Sequence, residues 1–95
     1  MGIRGQYANK RDGNEAGIFD LFRSAGLSVC PLDTPLDAIV GYAGRTYLVE
    51  IKNGHKAPLT KPQVAFLNAW TGQANVIRDD AQALAFIAAV KGGAL

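Results

Sequence analysis

Pro35-Leu36-Asp37-Ala38-Ile39-Val40-Gly41-Tyr42-Ala43-Gly44-Arg45-Thr46-Tyr47-Leu48-Val49-Glu50-Ile51-Lys52 is the stretch on which the reading of this chain turns. Two apolar runs, Ala38-Ile39-Val40 and Tyr47-Leu48-Val49, flank Gly41-Tyr42-Ala43-Gly44-Arg45 and predict a β-hairpin. A loop of two or four residues centred on Ala43-Gly44 sets Tyr42 against Arg45, Val40 against Tyr47, Ala38 against Val49 and Asp37 against Glu50. A three-residue loop would shift that register by one. Side chains alternate along a strand, so Glu50 and Lys52 share a face and Asp37 joins them. Two carboxylates set opposite one another, with Cβ atoms roughly 5 Å apart, repel unless positive charge stands between them. Lys52 supplies part of that charge, and a hard divalent cation with oxygen ligands supplies more.

Upstream, Asp12-Gly13-Asn14-Glu15 matches a capping box with Asp12 as N-cap and Glu15 reaching back; Asn14 is the alternative cap. The helix that follows carries Ile18, Leu21, Phe22 and Ala25 on one face and stops at Gly26. Leu27 to Cys30 reads as a buried first strand, with Cys30 as a structural residue. Pro31 and Pro35 bracket an extended connector. Downstream, Asn53-Gly54-His55-Lys56-Ala57-Pro58 is a polar loop, and Thr60-Lys61-Pro62-Gln63 is a second capping box. It opens a helix with apolar pairs Val64, Leu67 and Phe66, Trp70, ended by Gly72. Ala74 to Arg78 is a short strand. Asp79 or Asp80 caps a last helix carrying Leu84, Ile87, Ala88 and Val90 and closed by Gly92-Gly93.

The expected order is α-β-β-β-α-β-α, an α/β fold whose mixed sheet is flanked by helices. The stretch between Lys52 and Ala74 is long enough for a helical crossover to a parallel neighbour. Residues 1–11 show no period and read as a mobile basic arm; residues 12–95 form one domain.

Composition sets bounds on function. The chain has 95 residues, 48% of them hydrophobic and 19% charged, which suits a folded globule. No apolar run approaches the ~18 residues of a membrane span, and the first residues lack the apolar core of a signal peptide. A single cysteine fits a reducing compartment, so the expectation is a cytoplasmic protein with no membrane partner. The net charge of +2 does not by itself demand a polyanionic partner. Its distribution is more suggestive: Arg4, Lys10 and Arg11 precede the first helix, while Lys52, Lys56 and Lys61 surround the acidic pair.

Asp37, a thirteen-residue step and then Glu50-Ile51-Lys52 resembles the signature of the PD-(D/E)XK nuclease superfamily. Leu48-Val49-Glu50-Ile51-Lys52-Asn53-Gly54, followed by Leu59-Thr60-Lys61-Pro62-Gln63, resembles its VRR-NUC branch, whose small members include free-standing phage nucleases. The upstream Asn14-Glu15 pair also fits that branch and the Holliday-junction resolvases. The similarity covers about residues 9 to 90. One departure is that the usual Pro-Asp is Leu36-Asp37, with proline one place earlier at Pro35.

The resemblance implies a restriction-endonuclease-like core and a Mg²⁺- or Mn²⁺-dependent endonuclease acting on DNA, in a bacterial or phage-infected cell. Branched or junction DNA is the substrate it suggests, and a homodimer is the assembly. Asp37 and Glu50 would hold the metal with the carbonyl of Ile51, and Lys52 would hold the attacking water or the phosphoryl charge. Glu15 reads either as the cap or as an extra acidic group near the metal, and the two roles are compatible. Gln63 reads as a capping-box residue or as the family's glutamine, which positions water or phosphate. His55 reads as a surface or phosphate-contacting residue rather than a general base, beside Lys56 and Lys61. One His and one Cys cannot build a zinc site, and no Walker-type loop is present. Tyr47, Phe66 and Trp70 read as core rather than as base-stacking platforms. The contrasting reading is a non-catalytic nucleic-acid-binding module on the same fold; a structural protein with an ion-paired Glu50-Lys52 strand is the plainest one.

Overall fold

A computed structural model describes residues 13–95, so the expected basic arm with Arg4, Lys10 and Arg11, and the Asp12 cap, lie outside the described residues. The described elements are α1 (Glu15–Ser24), β1 (Ser28–Pro31), β2 (Ala38–Tyr42), β3 (Arg45–Ile51), α2 (Lys61–Ala69), β4 (Ala74–Ile77) and α3 (Asp80–Lys91). They form a mixed four-stranded sheet in the order β1-β2-β3-β4. The first two pairings are antiparallel and the third, β3 with β4 across the α2 crossover, is parallel.

The hairpin has the tight two-residue turn. Ala43 and Gly44 both take left-handed backbone, with φ of 52° and 78°, the type I′ geometry whose twist matches that of paired strands. It fixes the register Tyr42↔Arg45, Val40↔Tyr47 and Ala38↔Val49. The even-numbered β2 residues Ala38 and Val40 and the odd-numbered β3 residues Tyr47, Val49 and Ile51 therefore share a face, and all are buried. Helices α1 and α3 pack on that face. Phe22 and Phe86 meet with centroids 5.4 Å apart, and Phe86 meets Tyr47 edge-on at 5.6 Å. Tyr47 is thus core, as expected. Leu48 and Glu50 fall on the opposite face.

The helix boundaries follow local chemistry. Thr60 and Gln63 close a full capping box at the start of α2. Asp79 caps α3 through the Gln82 amide at 2.7 Å. Helix α1 takes the alternative cap position, Asn14, but the Asn14 side chain makes no capping bond. Helix α2 ends at Ala69, short of Gly72, because Trp70 leaves helical geometry with ψ 127°.

Four burial expectations are corrected. Cys30 is exposed, since β1 is an outer strand with little packed over it. In α1 Phe19 is buried with Ile18 and Phe22, whereas Leu21 and Ala25 are only half-buried. The inward face of α3 is Ala83, Phe86, Ile87 and Val90, and Leu84 stands 55% exposed. The ring of Phe86 docks between Phe22 and Tyr47, and that rotates Leu84 outward. Finally, α2 has no buried residue, so Phe66 and Trp70 are not core. Among the described residues no helix is long and apolar enough to cross a membrane.

Candidate metal and phosphate site

The site is built at the end of β3 on the face away from the core. Glu50 is 2% exposed, and its Oε2 accepts from Gln63 Nε2 at 2.9 Å and lies 3.4 Å from the Lys52 ammonium. Oε1 of Glu50 is buried without a donor among the described residues. Burial pushes the Glu50 carboxyl up to about 7, the neighbouring Asp37 carboxylate pushes in the same direction, and Lys52 pulls it back. Asp37, Glu50, Lys52 and Gln63 are therefore brought together.

Asp37 reaches the site by leaving the ladder. Its amide donates to the Val49 carbonyl at 3.0 Å and its carbonyl accepts from Leu32 at 2.7 Å. Its Oδ2 takes the Ile51 amide at 2.8 Å. The link between Ile51 and Asp37 runs through that amide, and Ile51 itself is buried at the end of β3. Gln63 is the capping-box residue that one of its two readings made it, with Oε1 accepting from the Thr60 amide, and its Nε2 also holds Glu50.

Helix α1 is tied to the same strand end. Asn14 Nδ2 donates to the carbonyls of Lys52 at 2.9 Å and Arg78 at 3.2 Å, which places the first turn of α1 beside the end of β3. Glu15 is buried in that turn. Asn14 fastens the helix across the fold instead of capping it.

His55 is 69% exposed in its side chain and pairs with Asp79 at 2.8 Å, so it faces the α3 N-terminus and its partner is not a site carboxylate. The Asp79 carboxyl is held below its ordinary range by the Gln82 amide and by His55. Lys56 and Lys61 are exposed. Arg78 is a residue that the sequence pattern does not single out. Its Nη1 donates to the carbonyls of Gly54 at 3.1 Å, His55 at 3.4 Å and Ala57 at 2.6 Å, gathering the loop that follows Lys52. Its place at the end of a short strand is the one local hint of that role.

The donors suit a hard cation. Two adjacent carboxylates, one with a buried oxygen lacking a donor, can be satisfied by a shared proton or by a metal ion, and oxygen ligands of this number fit Mg²⁺ or Mn²⁺. Among the described residues no group of three or more His, Cys, Asp and Glu gathers, so the carboxylates such a site could draw on are this pair. Compared with family models, with curated proteins and with solved structures, the chain matches none.

Proposed function

We propose that this chain is a Mg²⁺- or Mn²⁺-dependent endonuclease that hydrolyses phosphodiester bonds in DNA, on a restriction-endonuclease-like core of the PD-(D/E)XK kind close to the VRR-NUC branch. One observation carries the reading: Asp37, Glu50 and Lys52 converge, and a Glu50 oxygen is buried there with no donor among the described residues. Asp37 and Glu50 would hold the ion, with the Ile51 carbonyl as a third ligand. When bound, it supplies charge to the phosphoryl oxygens and acidifies a coordinated water.

The chain's own residues do the rest. Gln63 fixes the Glu50 carboxylate, so one oxygen is committed and the other stays open. The Ile51 amide fixes Asp37. Lys52, held at the rim of the pair, stands to meet the negative charge that grows as water oxygen bonds to phosphorus and the ester P–O bond breaks. The attacking water gives its proton to solvent, and the leaving oxygen takes one from solvent. Lys56 and Lys61, with Arg4, Lys10 and Arg11, would contact neighbouring phosphates, and cutting two strands symmetrically calls for two copies.

Calorimetric titration with Mn²⁺, followed by cleavage of linear and branched DNAs with and without metal, tests the proposal. Binding that is lost in Asp37→Asn, together with metal-dependent cleavage, is the expected result. DNA binding without metal uptake or cleavage would replace it with the binding-module reading.

A further inference from the structure

Trp70, the only tryptophan of the chain, is 46% exposed at the end of α2. Its ring is nonetheless held from three sides. Phe66 stacks on it with centroids 5.2 Å apart and 25° between the planes. Its Nε1 points to the Gln73 carbonyl at 3.4 Å. Gly72 lies so close that a Cβ there would stand 2.8 Å from Nε1 and 2.9 Å from Cε2. These contacts fix the orientation of the indole without burying it.

The position of the pair is as informative as its geometry. Gln63, Phe66 and Trp70 are spaced i, i+3, i+7 and fall on one helical face. Gln63 touches Glu50, so at a rise of ~1.5 Å per residue Phe66 and Trp70 follow about 5 and 10 Å along the axis from the site. That is within reach of the nucleotides flanking a phosphate held beside Glu50. Helix α2 contains no acidic residue, and exposed Lys61 opens it with Lys56 just ahead, which favours a polyanion as occupant. A second protein surface fits less well. A nine-residue helix offers a face about 13 Å long and 10 Å wide. A stable interface needs roughly 800 Å² per partner, several times that area.

We propose that Phe66 and Trp70 form a stacking platform for an unpaired nucleobase next to the phosphate that the Asp37–Glu50 site would cut. The inference rests on the nuclease reading for its site and names the substrate class: DNA with single-stranded or splayed nucleotides at the cut. Bases inside a continuous duplex have both faces covered by their neighbours, whereas an unpaired base offers a face to an aromatic side chain.

The lone tryptophan makes the test direct. Trp70 emission is followed while the protein is titrated, in EDTA, with oligo(dT), with a blunt duplex of equal length and with an abasic oligomer of equal charge. The expected result is saturable quenching by oligo(dT) and none at saturation with the other two. By anisotropy of labelled oligo(dT), Phe66→Ala and Trp70→Ala bind about tenfold more weakly or worse, with duplex affinity unchanged. Gly72→Ala keeps both rings but displaces the indole, so it loses quenching and oligo(dT) affinity at unchanged circular dichroism. Equal quenching by the abasic oligomer or the duplex, or full affinity in Phe66→Ala, overturns the platform. So does a Trp70 emission shift that follows self-association without DNA, since a second copy would then cover the ring. Because metal is withheld, quenching without later cleavage would sink the nuclease reading alone, and cleavage without quenching would sink the platform alone.

Discussion

Gln63 holds Glu50 with one end of its amide while the other end closes the capping box of α2: Nε2 donates to Glu50 Oε2 at 2.9 Å and Oε1 accepts from the Thr60 amide at 2.9 Å. The start of the crossover helix and the acidic pair are thus set by one side chain. Gln63→Ala breaks both links and should lower stability by about 1 kcal/mol, the usual worth of a cap. Gln63→Glu keeps an acceptor for the Thr60 amide but turns a donor toward Glu50 into a negative charge. Denaturant melts should show the Glu variant close to wild type at pH 5 and weaker at pH 8; equal losses at both pH values would mean that the Glu50 contact is immaterial.

Lys52 and Asp37 separate charge stabilisation from metal binding. Lys52→Ala leaves both carboxylates, so Mn²⁺ binding should survive while single-turnover cleavage falls ~100-fold, the scale for losing one charge-stabilising group. Asp37→Ala should lose metal and cleavage together, and it also strips the Ile51 amide of its acceptor, at a cost of about 1–3 kcal/mol. Asp37→Asn keeps an acceptor for that amide and should recover most of the stability without the activity. Calorimetry, cleavage and melts on the same preparations check all three.

Glu50 gives the metal-free protein a pH signature. Folded, it keeps its proton up to about pH 7; unfolded, it releases it near its ordinary 4.5. Between those values the folded state binds more protons, so stability falls as pH rises through the window. Asp79 acts in the opposite sense and only below its own ordinary range, where its contribution is lost as pH falls. Melting temperature in EDTA should therefore drop from pH 5 to pH 8, and Mn²⁺ should restore it at pH 8 by favouring the ionised form. Glu50→Gln should flatten the profile; an unchanged slope would place its origin elsewhere.

The turn offers a stability test remote from the chemistry. Ala43 has φ 52°, a left-handed conformation that a side chain with Cβ disfavours by roughly 1–2 kcal/mol. Ala43→Gly relieves that strain and loses some of the gain to unfolded-state entropy, so a net stabilisation of about 0.5–1 kcal/mol is expected. Urea melts decide it, and a destabilised variant would refute it.

What is legible in the sequence is local or periodic. The Ala43-Gly44 turn sets the hairpin register and strand alternation puts Glu50 and Lys52 on one face, while Asp37, just ahead of β2, joins them from outside the ladder. Thr60 and Gln63 announce α2 by their spacing. Contacts between distant segments are not legible: Asn14 with Lys52 and Arg78, or Arg78 with the loop after Lys52, leave no periodic trace. Periodicity also cannot say what covers an apolar face, which is why Trp70 and Leu84 read as core and stand exposed. The α3 face is open to test. Phe86→Ala should cost about 3–5 kcal/mol and Leu84→Glu less than ~0.5 kcal/mol. The reverse ranking in urea melts would turn the Leu84 face inward after all.

Arg78 has a mechanical consequence. One guanidinium nitrogen gathers three backbone carbonyls of residues 54–57, and the His55–Asp79 pair adds a second fastening to the same corner. The segment has neither helix nor strand, yet it is riveted to the junction of β4 and α3. A tug on the polypeptide leaving Lys52 is transmitted to the framework at Arg78 before it reaches α2, so the path from Gly54 to Ala57 behaves as a bracket rather than a hinge.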